Sequence, residues 1–503
     1  MTTRPVAGKR NGITIGRRGR LLLVAVLALV VLSFAVAAPA ASGPQPAGTL
    51  SARTPSTDVT AAAATTRPNI FFYNVDDLRD AFPGGIDPLK FMPETRSWMS
   101  TGRRYTQTFV VDPSCCPSRS SLMTGRYPHN NGVHNQQQGP NFDGPHSMAC
   151  YFKSAGYTTY EDGKFLVTWP RSKLPPCFTH STVMWGGYNN VQVKVDGVSQ
   201  TAPGYSTTYL GNRGRQYVTQ ALGAGKPFLL YETPQAPHWV HVTLPDGSVT
   251  ELAVPDKKYA AAPVGPCAGV PEADRSDKPA YVRTMNYSIA QAQKMCESQI
   301  RSIMTADDEF GATMQLLSDR GVLDNTLVIF SSDNGYMWGE HGRWEKFVPY
   351  EPSIRVPLIV RWPGHVAAGT DTTRIVSYID LLPTMLQAAG VTIPAGSPPL
   401  DGESLLSPSS RTTMYSEYYN DPANKRIPSW RMVRTRTAKY IQTYDAAGGV
   451  IAKEYYDLVG DPAENTNLLG DGNAANDPPA STIQAMTALL NTFATCKGSA
   501  CVR

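Results

Sequence analysis

Short apolar runs without a polar face recur along most of the chain. The first is Ile70-Phe71-Phe72-Tyr73-Asn74-Val75, which predicts a strand buried on both sides. Pro227–Thr233, Thr326–Phe330 and Val356–Arg361 read the same way. Between them, Ala306–Leu323 keeps helical spacing, with Arg320-Gly321 as a stop signal. Strands alternating with helices predict right-handed crossovers and an α/β fold, a large, mostly parallel sheet sandwiched by helices. The pattern changes near the C-terminus. Met414–Tyr418, Trp430–Arg434, Lys439–Tyr444 and Glu454–Tyr456 are short, aromatic and β-prone, with Gly448-Gly449 as a turn between the last two. They predict a smaller antiparallel sheet, closed by a helix over Thr482–Thr495.

The N-terminal segment is patterned for export. Arg17-Arg18-Gly19-Arg20 precedes an apolar run from Leu21 to Ala38, and Ala38-Pro39-Ala40 offers a small-residue exit. Residues 1–40 thus read as a signal peptide or an N-terminal anchor, and 41–66, poor in large apolar residues, as a flexible linker. Two further units are expected: 67–400 as the catalytic domain and 401–503 as a C-terminal α+β subdomain. The protein is expected to be secreted or extracytoplasmic, on a membrane only if the leader stays uncleaved. The net charge of +5 is concentrated in that leader, which holds six basic residues and no acid. Without it the body carries about −1, which lacks the basic footprint of a nucleic-acid binder. Eight cysteines suit a secreted enzyme with a few bridges. Cys496 and Cys501 are expected to pair. Proximity alone suggests Cys150 with Cys177 and Cys267 with Cys296.

Polar residues gather where a parallel sheet places its ligands. Asp76, Asp77, His238, Asp333 and Asn334 all lie just past the carboxyl end of a predicted strand. Either Asp76 or Asp77 alone would more often be a helix cap. The matching Asp333-Asn334 after another strand turns the reading toward one metal site. Three carboxylates and an amide oxygen make a hard shell suited to calcium or magnesium rather than zinc.

Residues 114–125 read Ser-Cys-Cys-Pro-Ser-Arg-Ser-Ser-Leu-Met-Thr-Gly. This segment resembles the sulfatase signature Cys-x-Pro-Ser-Arg-x-x-x-x-Thr-Gly, with Cys115 first. The similarity continues through Arg67-Pro68-Asn69, Gly163-Lys164, Ala236-Pro237-His238, Ser332–Gly335, Gly339–Gly342, Lys346, Ser377–Thr384 and Tyr456–Leu468. The paired Cys115-Cys116 and the Gly-Lys-Phe-Leu segment look most like N-acetylglucosamine-6-sulfatases and glucosamine 6-endosulfatases. The resemblance implies an alkaline-phosphatase-like fold and hydrolysis of sulfate monoesters of a sugar or glycan. It implies that a formylglycine-generating enzyme oxidises Cys115 to Cα-formylglycine. It implies calcium at Asp76, Asp77, Asp333, Asn334 and the modified Cys115.

Roles follow from the same resemblance. Arg119 orients the aldehyde hydrate, Lys164 bridges hydrate and sulfate, and Lys346 binds sulfate near the leaving oxygen. His238 is the acid for that oxygen, since imidazole titrates near working pH. One hydroxyl of the hydrate, deprotonated near Asp333, attacks sulfur, and the second expels sulfate. Many sulfatases carry a His two residues after the internal Lys, but Leu166 stands there in this chain. His129, His134 and His341 are the remaining candidates for the second base. Taken singly, each of these cations and histidines reads as a surface charge or packed ring. Two other readings remain: a phosphate or phosphonate ester hydrolase of the same superfamily, and a non-catalytic, calcium-stabilised glycan-binding protein. A vicinal-dithiol redox protein fits less well, because Cys115-Cys116 lacks Cys-x-x-Cys spacing.

Overall fold

The computed structural model describes residues 67–81, 85–244, 246–269 and 272–503. The leader and linker expected over 1–66 lie outside the described residues. Among the described residues, no helix is long and apolar enough to cross a membrane.

The large sheet has ten strands. In chain order they are β1 (Asn69–Val75), β2 (Arg103–Tyr105), β3 (Thr158–Lys164), β4 (His180–Met184), β5 (Gln192–Val195), β6 (Val198–Thr201), β7 (Phe228–Thr233), β8 (Thr326–Ser332), β9 (Leu358–Arg361) and β10 (Gly369–Asp371). They lie side by side as β10-β2-β9-β8-β1-β7-β3-β4-β5-β6. The central block β8-β1-β7-β3-β4 is parallel throughout. Its flanks are antiparallel, β9 against β8 on one side and the β5–β6 hairpin on the other.

The apolar runs are explained by the two faces of this sheet. Ile70, Phe72, Leu229, Tyr231, Leu327 and Ile329 enter one core. The alternate residues Phe71, Tyr73, Phe228, Leu230, Val328 and Phe330 enter the other. Each central strand is buried on both sides, so no polar alternation survives in its sequence. The second core is closed by two helices, Ser206–Gly223 and Ile289–Asp319, the latter stacking Phe310 on Phe71 at 5.7 Å. The long helix begins well before the predicted Ala306. Ser288 caps it in a reciprocal capping box with Gln291.

The first core is shared with the C-terminal sheet, an antiparallel meander of Met414–Tyr418, Ser429–Arg434, Ala438–Tyr444 and Val450–Asp457. Trp430, Met432, Tyr440 and Ile441 join Ile70 and Phe72 in one cluster, together with Leu490 and Phe493 of the closing helix Ala480–Phe493. All three expected cysteine pairs are present as disulfides, and Cys115 and Cys116 are free and buried.

Candidate active site

Four adjacent parallel strands end at one edge of the sheet, and each delivers part of the site. Asp76 and Asp77 follow β1, and Asp333 and Asn334 follow β8. Lys164 is the last residue of β3, and His238 lies shortly beyond β7. A buried helix, Cys115–Thr124, opens against this edge, with Cys115 at its first position and Arg119 one turn later. Ser114 before it is extended, and Gly125 stops the helix in the left-handed conformation at φ 65°. Lys346 comes from an irregular segment in which Glu345 and Phe347, on either side, are both left-handed. Asp77 itself has φ 69°, a conformation that short polar side chains tolerate best.

The side chains converge on Cys115. Its Sγ lies 2.8 Å from Lys346 Nζ, 3.3 Å from Lys164 Nζ and 3.5 Å from Asp76 Oδ1. Lys164 is ion-paired with Asp76, and Lys346 with Asp77. Arg119 Nε donates to Asp333 Oδ2 at 2.7 Å, its Nη2 lies 3.5 Å from Asp76 Oδ2, and its Nη1 donates to the Lys164 carbonyl. Asp333 Oδ1 accepts from the Asp77 backbone N–H at 3.2 Å, and Asn334 Nδ2 donates to Asp77 Oδ1 at 2.7 Å. His238 Nε2 lies 3.7 Å from Asp77 Oδ2, while its Nδ1 donates to the Trp239 carbonyl at 2.6 Å. Ligand atoms of Asp76, Asp77, Cys115 and His238 all fall within 4.8 Å of one another.

Burial sets the electrostatics. It would raise the Asp76 carboxyl, but Lys164, His238, Arg119 and Lys346 outweigh it and hold Asp76 well below the usual carboxylate range. Burial also raises Asp333, and there Arg119 does not fully compensate. Burial and then Asp76 push the Cys115 thiol up to about 12. Burial and the Lys164 charge bring His238 down to about 4, so its ring is neutral at pH 7. Lys164 and Lys346 stay charged, because Asp76 and Asp77 respectively overcome the burial that would lower them.

The structure therefore brings together the nucleophile, cation and metal-site residues expected from sequence: Asp76, Asp77, Cys115, Arg119, Lys164, His238, Asp333, Asn334 and Lys346. The three histidines considered for the second base are engaged elsewhere. His129 binds Glu417 and the Cys496 carbonyl, His341 binds Glu272, and His134 stacks on Tyr419. Leu166 packs into the apolar core. Sequence reasoning missed the groups that hold the site from behind. Tyr188 Oη donates to the His238 carbonyl at 2.5 Å, and Gln136 Oε1 accepts from the Cys116 N–H at 2.8 Å. Neither sits in a motif, and Tyr188 reaches His238 only through the tertiary fold.

The Sulfatase family model matches residues 68–391, and the model described as N-sulphoglucosamine sulphohydrolase, C-terminal, matches 339–487. An arylsulfatase of Chlamydomonas reinhardtii is 29% identical, over 88% of this chain and 77% of its own. An N-acetylglucosamine-6-O-sulfatase of Bacteroides thetaiotaomicron is 24% identical, over 82% of this chain and 84% of its own. The fold superposes, with a TM-score of 0.70 and 21% identity, on a protein solved in complex with its substrate D-glucosamine-2-N,6-O-disulfate, covering 85% of this chain and 97% of that one. With the family model spanning most of the chain and the signature cysteine at the centre of the cluster, the protein belongs to the sulfatase family and is a sulfuric ester hydrolase.

Proposed function

We propose that the protein is a secreted sulfatase acting on N-acetylglucosamine 6-sulfate or a related sugar ester of a glycan. In this reading Cys115 is converted to Cα-formylglycine, and Asp76, Asp77, Asp333 and Asn334 hold a calcium ion, with magnesium as the alternative. The observation that carries it is the setting of Cys115. Its Sγ, which marks where the formylglycine oxygens would lie, sits between two lysine ammonium groups at the first turn of a helix. As a thiol pushed up to about 12, it would stay protonated at neutral pH and be a poor nucleophile. The three disulfides suit an oxidising, extracytoplasmic compartment. Relatives named as glucosamine sulfatases support the sugar.

The residues fit a hard cation. Asp77 Oδ2 is buried without a hydrogen-bond partner, ligand atoms of Asp76, Cys115 and His238 lie within 4.8 Å of one on Asp77, and Asp333 and Asn334 both contact Asp77. A half-turn of the Asn334 amide would bring its oxygen toward Asp77. When present, the formylglycine hydrate supplies the nucleophile and the cation neutralises sulfate charge.

The chain's own groups do the rest. Lys164 and Lys346 are charged and flank the reacting position, so they bind the ester oxygens. Arg119 fixes Asp333 and adds a third positive centre. Asp333, raised by burial, is the proton acceptor for the nucleophile in this reading. His238 donates Nδ1–H to the Trp239 carbonyl, which leaves Nε2 to take a proton from solvent as the ester binds and to pass it to the leaving oxygen. The arriving anionic ester favours that protonation.

Comparing turnover of an aryl sulfate, an aryl phosphate and a panel of sulfated glucosamines tests this reading. It expects the sulfates to dominate and a 6-O-sulfated glucosamine to be preferred. Faster phosphate turnover would establish the phosphoesterase alternative. A protein with intact Cys115 and no turnover would establish the glycan-binding one.

A further inference from the structure

The segments that carry His238 and Lys346 continue into a second feature. Past His238 the chain forms a hairpin of Val240–Thr243 with Val249–Leu252, and just before Lys346 stands the short strand Trp344–Glu345. Between them opens a cleft of about 530 Å³, within the range of small-ligand sites. The rings of His238, Trp239 and His241 follow one another at 5.4 Å spacings, a continuous aromatic track from the catalytic edge to this cleft.

Its lining mixes apolar rings with hydrogen-bonding groups. Tyr287 and Trp344 are stacked at 5.1 Å, and Thr284, Asn286 and Gln291 supply neutral polar side chains. Glu251 is the lining carboxylate. It accepts from Trp344 Nε1 at 3.2 Å and approaches His241 Nε2 at 3.8 Å. No lysine or arginine is among the lining residues. Aromatic faces with neutral donors and acceptors suit the alternating C–H faces and hydroxyls of a sugar ring. Arg426 lies 5.6 Å from the centre of the Trp344 ring but pairs with Glu345 at 3.5 Å, so the lining carboxylate still disfavours a sulfated or uronic residue.

We propose that this cleft is a subsite for an uncharged sugar residue, an N-acetylhexosamine type, linked to the sulfated sugar held at Cys115. The enzyme would then act on glycan chains in preference to free monosaccharides. The proposal rests on the sulfatase reading of the Cys115 site, and its test separates the two.

Desulfation kinetics would be measured on N-acetylglucosamine 6-sulfate and on an N-acetylglucosamine trisaccharide carrying one terminal 6-sulfate. The wild type is expected to show the lower KM on the trisaccharide. Tyr287→Ala should raise that KM by on the order of tenfold and leave kcat/KM on the monosaccharide unchanged. Equal KM values in the wild type, or equal losses on both substrates in the variant, would overturn the subsite. Asn286→Ala, at an exposed position, repeats the test if Tyr287→Ala does not fold. Binding of the unsulfated trisaccharide, followed by tryptophan fluorescence, needs no turnover. Quenching that Tyr287→Ala abolishes would support the subsite even if no sulfated glucosamine were hydrolysed. No quenching in an active wild type would overturn it.

Discussion

Arg119 Nε donates to Asp333 Oδ2 across 2.7 Å, and both side chains are wholly buried. This pair ties the helix that starts at Cys115 to the end of β8, and so fixes the nucleophile's position relative to the carboxylates. Asp333→Ala would leave the buried Arg119 charge with only its longer, 3.5 Å carboxylate contact to Asp76. Removing one partner of a buried pair costs about 3–5 kcal/mol. Asp333→Ala should therefore lower the denaturation midpoint and abolish turnover. Wild-type stability in this variant, read by chemical denaturation, would contradict the pairing.

The carboxylates should also govern metal content. Exhaustive chelation is expected to remove turnover, and calcium or magnesium to restore it. Elemental analysis of Asp77→Ala should find the metal lost. Full activity in chelated protein with no metal would rule out the cation.

His238 should matter most when the leaving oxygen is basic. General acid catalysis contributes about 10²–10⁴-fold. His238→Ala should lose most of that factor on a glucosamine 6-sulfate and far less on a nitrophenyl sulfate, whose anion leaves unaided. Equal losses would place His238 in sulfate binding instead and leave Lys346 beside the leaving oxygen.

Away from the site, Glu351 makes the fold acid-sensitive. Its carboxylate accepts from Arg434 at 2.7 Å and pairs with Lys439 at 3.0 Å. Burial would raise it, but Arg434, Lys439 and Arg355 hold it below its ordinary value of 4.5. A carboxyl depressed in the folded state stabilises fully above that value, and the stabilisation fades as pH falls below it. Glu351→Gln should lower stability at pH 7 and flatten the loss that sets in as pH falls below 4.5. A variant whose stability falls as steeply with acid as the wild type would assign that slope elsewhere.

Much of this was legible in sequence because the site sits on the most strongly patterned elements. Ile70–Val75 and Thr326–Phe330 are apolar on both faces, so their ends, and hence Asp76 and Asp333, could be placed before any contact was known. The flanks were harder. The β5–β6 hairpin is partly exposed and polar, and β2 spans only three residues, too short for a period. Apolar spacing predicts the long helix only from Ala306, although Ser288 and Gln291 carry the start signal. Tyr188 and Gln136 reach the site through contacts 50 and 20 residues apart, which no local pattern encodes.

The central claim is that Cys115 acts as an aldehyde and not as a thiol. Peptide mass spectrometry on the active protein reads this directly. The peptide containing residue 115 should be about 18 Da lighter than its sequence mass, the change from a thiol to a carbonyl, with Cys116 unaltered. An unmodified Cys115 in fully active enzyme would contradict the account.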